Sequence, residues 1–148
     1  MNYAYRFEQI LTVREQEKSE TEQAYKESVR AFEEVATSLY ELLRKKESLI
    51  AYQTERLKTG STVDEIHQNA RFLDSLEKMV DTVQQKVTQA RAKMQWYEER
   101  LLEKNLEVRK YEKMKERDFE QFQQEQHRLE AIFLDELSTL TFNKKEIR

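Results

Sequence analysis

The longest regular pattern in the chain is a heptad repeat of apolar residues between Leu73 and Tyr111. Steps of three and four residues separate twelve positions, and only Lys104 among them is not apolar. A strand would alternate with a period of two, so this spacing predicts a helix. A strict period of 3.5 residues also requires a partner helix wound against it in a left-handed supercoil. The positions are Leu73, Leu76, Val80, Val83, Val87, Ala90, Met94, Tyr97, Leu101, Lys104, Val108 and Tyr111.

A weaker heptad pattern precedes it and can supply that partner. It is good from Ala4 to Leu11, poor from Arg14 to Thr21, and good again from Tyr25 to Leu49. This pattern predicts a first helix over about residues 4–58.

The turn between the two helices is predicted at residues 59–62, where the only glycine of the chain lies. Gly60 suits the left-handed position that closes a helix. Thr62 followed by Glu65 is a capping box that opens the next helix. The competing interpretation places the glycine inside one continuous helix, and the adjacent cap disfavours it.

We therefore predict an all-α fold, a long antiparallel two-helix coiled coil that forms one elongated hairpin over residues 1–148. A turn at Gly60 makes the numbers of facing residues add to about 122, so Leu73 faces Leu49 and Val80 faces Leu42. Lys104 then lies near Lys18, which predicts looser packing at that level. The second helix is predicted over about residues 63–137, followed by a disordered tail at 138–148.

Beyond about Asp118 the second helix overhangs the first and still carries an apolar stripe. Two interpretations stay open: a frayed amphipathic end, either extended or folded back, and a surface that binds a partner. The stripe consists of Phe119, Phe122, Leu129, Ile132 and Phe133.

Composition narrows the class of protein. The 148 residues include no proline and no cysteine, and 37% are charged, with a net charge of −3. With one glycine and no proline to form turns, the chain favours long helices over a compact globular core. The charge balance argues against a nucleic-acid partner, and lack of cysteine excludes disulfides and thiolate metal sites. No apolar run approaches the ~20 residues of a membrane span, and no signal peptide is evident, so we expect a soluble cytoplasmic protein.

Catalytic chemistry is not expected. The sequence has no phosphate-binding glycine loop and no nucleophile elbow, and its two histidines, His67 and His127, lie far apart. The carboxylates alternate with bases along helix faces that water solvates. We predict no enzyme, no cofactor and no metal site.

A group of apolar residues near the turn lies beside the heptad seam. Tyr52, Phe72 and Met79 occupy g positions, on the same side as Leu76 and Val83. This ridge is either a binding surface or part of a wider core. Leu43, Ile50 and Leu57 on the opposite flank favour the wider core, so the residues alone leave both open.

Three short motifs resemble those of the flagellar export protein family FliJ. They are Tyr5-Arg6-Phe7-Glu8-Gln9-Ile10-Leu11 with Arg14-Glu15, Leu49-Ile50-Ala51-Tyr52-Gln53, and Phe72-Leu73-Asp74-Ser75-Leu76-Glu77. The resemblance implies a non-enzymatic part of the bacterial flagellar type III export apparatus, cytoplasmic and peripheral to the inner membrane at the flagellar base. It also implies a coiled coil similar to the stalk subunit of rotary ATPases.

The same resemblance implies two partners and, as a further role, escort of export chaperones. The terminal end would enter the central hole of a hexameric export ATPase, FliI, and the end at the turn would meet the export gate protein FlhA. Two positions depart from the pattern of the family: Arg56 stands where an aromatic residue is expected, and Val83 stands where a histidine is expected. The gate-binding residues would be Leu49, Tyr52, Arg56, Phe72, Leu76, Met79 and Val83. The ATPase-binding residues would be Tyr5, Phe7, Ile10, Leu11, Phe119 and Phe122.

An alternative function needs no export partner. A scaffolding coiled coil would homo-oligomerise into a four-helix bundle through its spare apolar flanks. Sedimentation distinguishes the two functions. A coupling protein of the export apparatus is expected to be an elongated monomer, and a scaffolding coiled coil is expected to be a compact, stable dimer.

Overall fold

The computed structural model describes residues 2–147, with side chains up to Lys145. It contains two helices, α1 (Glu8–Thr59) and α2 (Val63–Ile147), and no strand within the described residues. The all-α, antiparallel two-helix prediction is confirmed. Long helices form because neither proline nor an internal glycine interrupts them.

The connection between the helices is three residues long and depends on Gly60. Its φ of 105° lies in the left-handed region, and no other described residue has a positive φ. Thr62 Oγ1 then accepts a hydrogen bond from the Glu65 amide at 3.2 Å, which caps the start of α2. The glycine thus ends α1, and the threonine begins α2.

Replacing Gly60 with alanine is expected to destabilise the protein by about 1–3 kcal/mol, the cost of a non-glycine residue held in a sparsely populated backbone region. Nothing lies within 4 Å of the added Cβ, so the cost is backbone strain and not a clash. Urea unfolding followed by circular dichroism measures it, with Lys58→Ala in the last turn of α1 as control. Equal midpoints for the two variants would contradict the prediction.

The structure differs from the sequence prediction at the start of α1. The helix begins at Glu8 and not near residue 4, and residues 2–5 have no regular secondary structure. Tyr3 and Tyr5 both hydrogen-bond to α2, through Asp118 and the Tyr111 carbonyl. Residues two apart point to different sides of a helix, so both could not face α2 in a helical segment.

A second correction concerns the predicted disordered tail. The helix α2 continues to Ile147 and does not end near Leu137; Arg148 lies outside the described residues. No glycine or proline interrupts this stretch, and the hydroxyls of Thr139 and Thr141 donate to carbonyls one turn earlier. The expectation of disorder rested on the position of this segment at the chain end, and an exposed helix forms there instead.

The structure divides into two compact units. The first, residues 19–102, contains the turn and buries Leu76 and Val80. Its cross-helix contacts fit the predicted register: Lys46 pairs with Glu77, and the Arg91 guanidinium lies over the Phe32 ring, pairs whose residue numbers add to 123. We call it the turn unit.

The second unit, the terminal unit, consists of the chain up to Lys18 and from Glu103 onward. Its core is a cluster of Tyr5, Leu11 and Val108, which we call the terminal cluster. Tyr3, Phe7, Tyr111 and Met114 pack against it. The pair Glu17–Lys104, whose numbers add to 121, again fits the predicted register.

Candidate interaction surfaces

The ridge beside the heptad seam in the turn unit is an exposed surface. Tyr52, Phe72 and Met79 are 53%, 59% and 53% exposed, which is far too open for a wider core. We call these three residues the tip surface. Leu49 and Val83 are half-buried at its edge.

Leu76 is a correction to the predicted gate-binding set. Its side chain is only 4% exposed, so a partner could not contact it without opening the hairpin. It occupies a d position of the heptad, and α1 covers that position. Leu76 therefore belongs to the core of the turn unit and is not part of the tip surface.

Arg56 is engaged within the turn unit. Its Nη2 donates to Glu65 Oε2 at 2.9 Å, and Ser61 Oγ reaches the same carboxylate oxygen at 3.0 Å. The hydrogen bond from Arg56 is the main cause that lowers the pKa of Glu65, and the pair raises the pKa of Arg56 in turn. Arg56 thus bridges the ends of the two helices across the turn.

The residues predicted to bind the ATPase divide into core and surface. Tyr5 and Leu11 are buried in the terminal cluster. Phe7 and Phe122 are half-buried, while Ile10 and Phe119 are about 39% and 40% exposed. We call Phe7, Ile10, Phe119 and Phe122 the terminal surface. Because Tyr5 and Leu11 are buried, they belong to the core beneath the terminal surface and a partner cannot contact them directly.

Tyr3 packs on this surface, and sequence reasoning missed it. Its ring centroid lies 5.0 Å from that of Phe119 and 5.2 Å from that of Phe122. Its hydroxyl donates to Asp118 Oδ2 at 2.7 Å. Burial, reinforced by the Asp118 carboxylate, raises the pKa of Tyr3 to about 12. The sequence does contain a signal for this contact: Tyr3 and Tyr5 alternate with other residues, and a period of two indicates an extended segment ahead of the helix.

The overhang, α2 beyond Phe122, is an exposed helical face. Every apolar side chain from Leu129 to Phe142 is exposed. The end does not fold back over itself within the described residues. The helix therefore argues against a folded-back end, and binding of a partner to this stripe stays a prediction.

Four charged residues fill the part of the seam where the sequence predicted loose packing. Lys104 Nζ lies 3.2 Å from Glu17 Oε2 and 3.7 Å from Glu107 Oε2, and Arg14 Nη1 lies 3.1 Å from Glu17 Oε2. Only 15% of the Lys104 side chain is accessible. Hydrogen bonds from Arg14 and then Lys104 lower the pKa of Glu17. We call Arg14, Glu17, Lys104 and Glu107 the polar cluster.

The described residues contain no group of three or more His, Asp or Glu side chains placed to hold a metal ion. Nor does either helix, as far as it is described, have a stretch apolar and long enough to cross a membrane.

Comparisons with known proteins point to one family. The family model described as flagellar FliJ protein matches residues 3–146. The chain is similar to the flagellar FliJ protein of Bacillus subtilis strain 168, at 37% identity over 142 residues that cover 96% of this chain and 97% of the relative. Its fold is similar to a solved structure from Chlamydia trachomatis described as a YscO homolog, with a TM-score of 0.72, 21% identity, and 99% of both chains covered.

Proposed function

Because this chain belongs to the flagellar FliJ protein family, a family of export components and not of enzymes, we propose that it is a stalk-like coupling protein between the hexameric export ATPase and the export gate. The observation that supports this most is that each compact unit has an exposed apolar surface of its own, the tip surface in one and the terminal surface in the other. A chain with two separate docking surfaces is suited to joining two partners.

The tip surface is assigned to the FlhA-like gate. Aromatic and methionine side chains are frequent energetic centres of protein interfaces, and the three residues here are rigidly presented by two packed helices. Leu49, Arg56 and Val83 form the edge of this contact, and Leu76 belongs to the core.

The terminal surface and the overhang are assigned to the FliI-like ATPase. Two packed helices are roughly 20 Å across, a size that the central hole of a hexameric ring can accept. A pair of helices lacks six-fold symmetry, so it cannot contact all six subunits equally and can bias one active site at a time. In this proposal that asymmetry promotes ring assembly and ATP hydrolysis.

The overhang also offers a place for escorted chaperones. An exposed apolar stripe on a single helix fits the helix-in-groove mode of recognition. The protein would work in the cytoplasm, held at the inner membrane of the flagellar base only through the export apparatus, and without nucleic acid.

A reciprocal pair of variants tests the coupling function. Phe72→Ala with Met79→Ala should weaken binding to the purified cytoplasmic part of the gate by roughly tenfold or more and leave ATPase binding unchanged. Phe119→Ser with Phe122→Ser should do the opposite and also abolish stimulation of the ATPase rate. Each double variant is the control for the other, and circular dichroism checks that both stay helical.

Two outcomes would refute the assignment. One is that both variants bind both partners as the unaltered protein does. The other is that the ATPase rate is the same with unaltered protein, with the Phe119/Phe122 variant and with a chain lacking residues 1–12.

One observation favours the scaffolding alternative. Leu43, Ile50 and Leu57, on the flank opposite the tip surface, are also exposed. A second copy could cover them in a four-helix bundle. Sedimentation equilibrium decides: a stable dimer that Leu43→Gln and Ile50→Gln dissociate would support the scaffold, and a monomer at all concentrations would exclude it.

A further inference from the structure

The amino-terminal residues of the free chain occupy a site on α2. Tyr3 inserts its ring beside Phe119 and Phe122, with centroids 5.0 and 5.2 Å away, and its hydroxyl donates to the Asp118 carboxylate at 2.7 Å. The two phenylalanines form an apolar seat, and the aspartate is the acceptor at its rim. Such a seat is complementary to an aromatic side chain that carries a hydrogen-bond donor.

Residues 2–5 are bound to α2 more firmly at Tyr5 than at Tyr3. Tyr5 is buried in the terminal cluster, and its hydroxyl donates to the Tyr111 carbonyl at 3.1 Å. Tyr3 is only partly buried, and its neighbours Asn2 and Ala4 are exposed. Residues 2–4 can therefore lift from α2 while Tyr5 stays in place. The cost is the contacts of Tyr3: the hydrogen bond to Asp118, a longer one of 3.5 Å to the Lys115 carbonyl, two ring contacts and packing against the terminal cluster.

An open groove lies beside the seat. Its volume is about 560 Å³, and Tyr3, Leu11 and Phe119 contribute to its lining. A segment that displaced Tyr3 would find apolar surface both in the seat and in the adjoining groove.

The rim of the groove is acidic. Glu15, Glu112 and Glu116 line it, and the charge of the one lysine there, Lys115, is offset by Glu8, whose carboxylate oxygen lies 2.9 Å from the Lys115 ammonium. Arg6 and Arg117 lie on the other side of Asp118, so the negative excess belongs to this groove and not to the whole terminal unit. Charge complementarity therefore favours a partner with basic residues around its anchor.

We infer that Phe119, Phe122 and Asp118 form a docking site for an aromatic side chain flanked by Lys or Arg on a partner protein, and that Tyr3 fills this site until the partner displaces it. The chain's own segment has this chemistry, since Arg6 follows Tyr3 and Tyr5. The inference deepens the proposed function, on which it rests for the identity of the partner as the ATPase, but the site itself can be tested without it.

The first experiment uses a synthetic peptide of residues 2–6 as the probe. It should bind a full-length Tyr3→Ala chain, with NMR shifts confined to the region of Phe119 and Phe122, and bind the unaltered chain at least roughly tenfold more weakly because Tyr3 competes. The chain with Tyr3→Ala and Asp118→Asn is the negative control, and a peptide with alanine in place of Tyr3 is the matched probe control. No shifts with the Tyr3→Ala chain at millimolar peptide, or equal binding to both chains, would overturn the inference.

The second experiment uses the purified export ATPase. The Tyr3→Ala chain lacks the competing side chain, so its apparent Kd for the ATPase should be lower than that of the unaltered protein by roughly threefold or more. Tyr40→Ala, which changes an exposed tyrosine of the turn unit, is the control. Weaker binding of the Tyr3→Ala chain would show that Tyr3 is itself a contact and overturn its role as competitor. If the ATPase binds none of these chains, the proposed function fails while the peptide result still decides the site.

Discussion

Truncating Leu76 to alanine is expected to destabilise the protein by about 2–5 kcal/mol, whereas truncating Phe72, four residues earlier, is expected to cost less than about 1 kcal/mol. Leu76 is 4% exposed and Phe72 is 59% exposed. Removing the leucine side chain leaves a cavity between the helices. Removing the phenylalanine ring uncovers little that water does not already reach.

Urea unfolding of the two variants measures this difference, and Met79→Ala provides a second exposed comparison. The result bears on function, because a side chain that contributes little to folding is available for a partner. If Phe72→Ala proved as costly as Leu76→Ala, the tip surface would be core, and its assignment to the gate would fail.

The polar cluster is expected to respond in opposite ways to single and paired substitution. Lys104→Leu should lower the melting temperature by several degrees, because it removes the ammonium that lies between the Glu17 and Glu107 carboxylates in a partly buried part of the seam. Combining it with Glu17→Leu should restore the melting temperature or raise it above that of the unaltered protein. The pair of leucines removes one charge of each sign and adds apolar surface to the seam.

Acid stability provides the second measurement on the same chains. The pKa of Glu17 is lowered in the folded protein, so its contribution to stability is present above the ordinary pKa of 4.5 and is lost as the pH falls through the folded value. The unaltered protein should therefore lose more stability below about pH 4.5 than the Glu17→Leu, Lys104→Leu chain. Two results would contradict this coupling. One is a melting temperature of the Glu17→Leu, Lys104→Leu chain below that of Lys104→Leu alone. The other is an equal loss of stability in acid for the unaltered protein and the double variant.

The sequence by itself determined the two helices, their antiparallel pairing and the residue on which they turn. Helical hydrogen bonds are local, and heptad spacing specifies which face must be covered, so both can be read from neighbouring positions. Gly60 could be identified because only glycine readily adopts the backbone angle observed there. The exposure of Tyr52, Phe72 and Met79 was foreseen as one of two alternatives.

Only the tertiary structure decided which of the candidate residues a partner can reach. Leu76, Tyr5 and Leu11 are as apolar as the exposed residues near them, and their burial depends on what the facing helix covers. Tyr3 was missed because its contacts are made with residues more than 110 positions away, by a segment outside the heptad pattern. In the sequence Lys104 interrupts the apolar seam, but in the structure its ammonium forms an ion pair with Glu17 of the opposite helix. Sequence periodicity specifies which faces meet, but which side chains pair across them depends on positions that only the folded chain brings together.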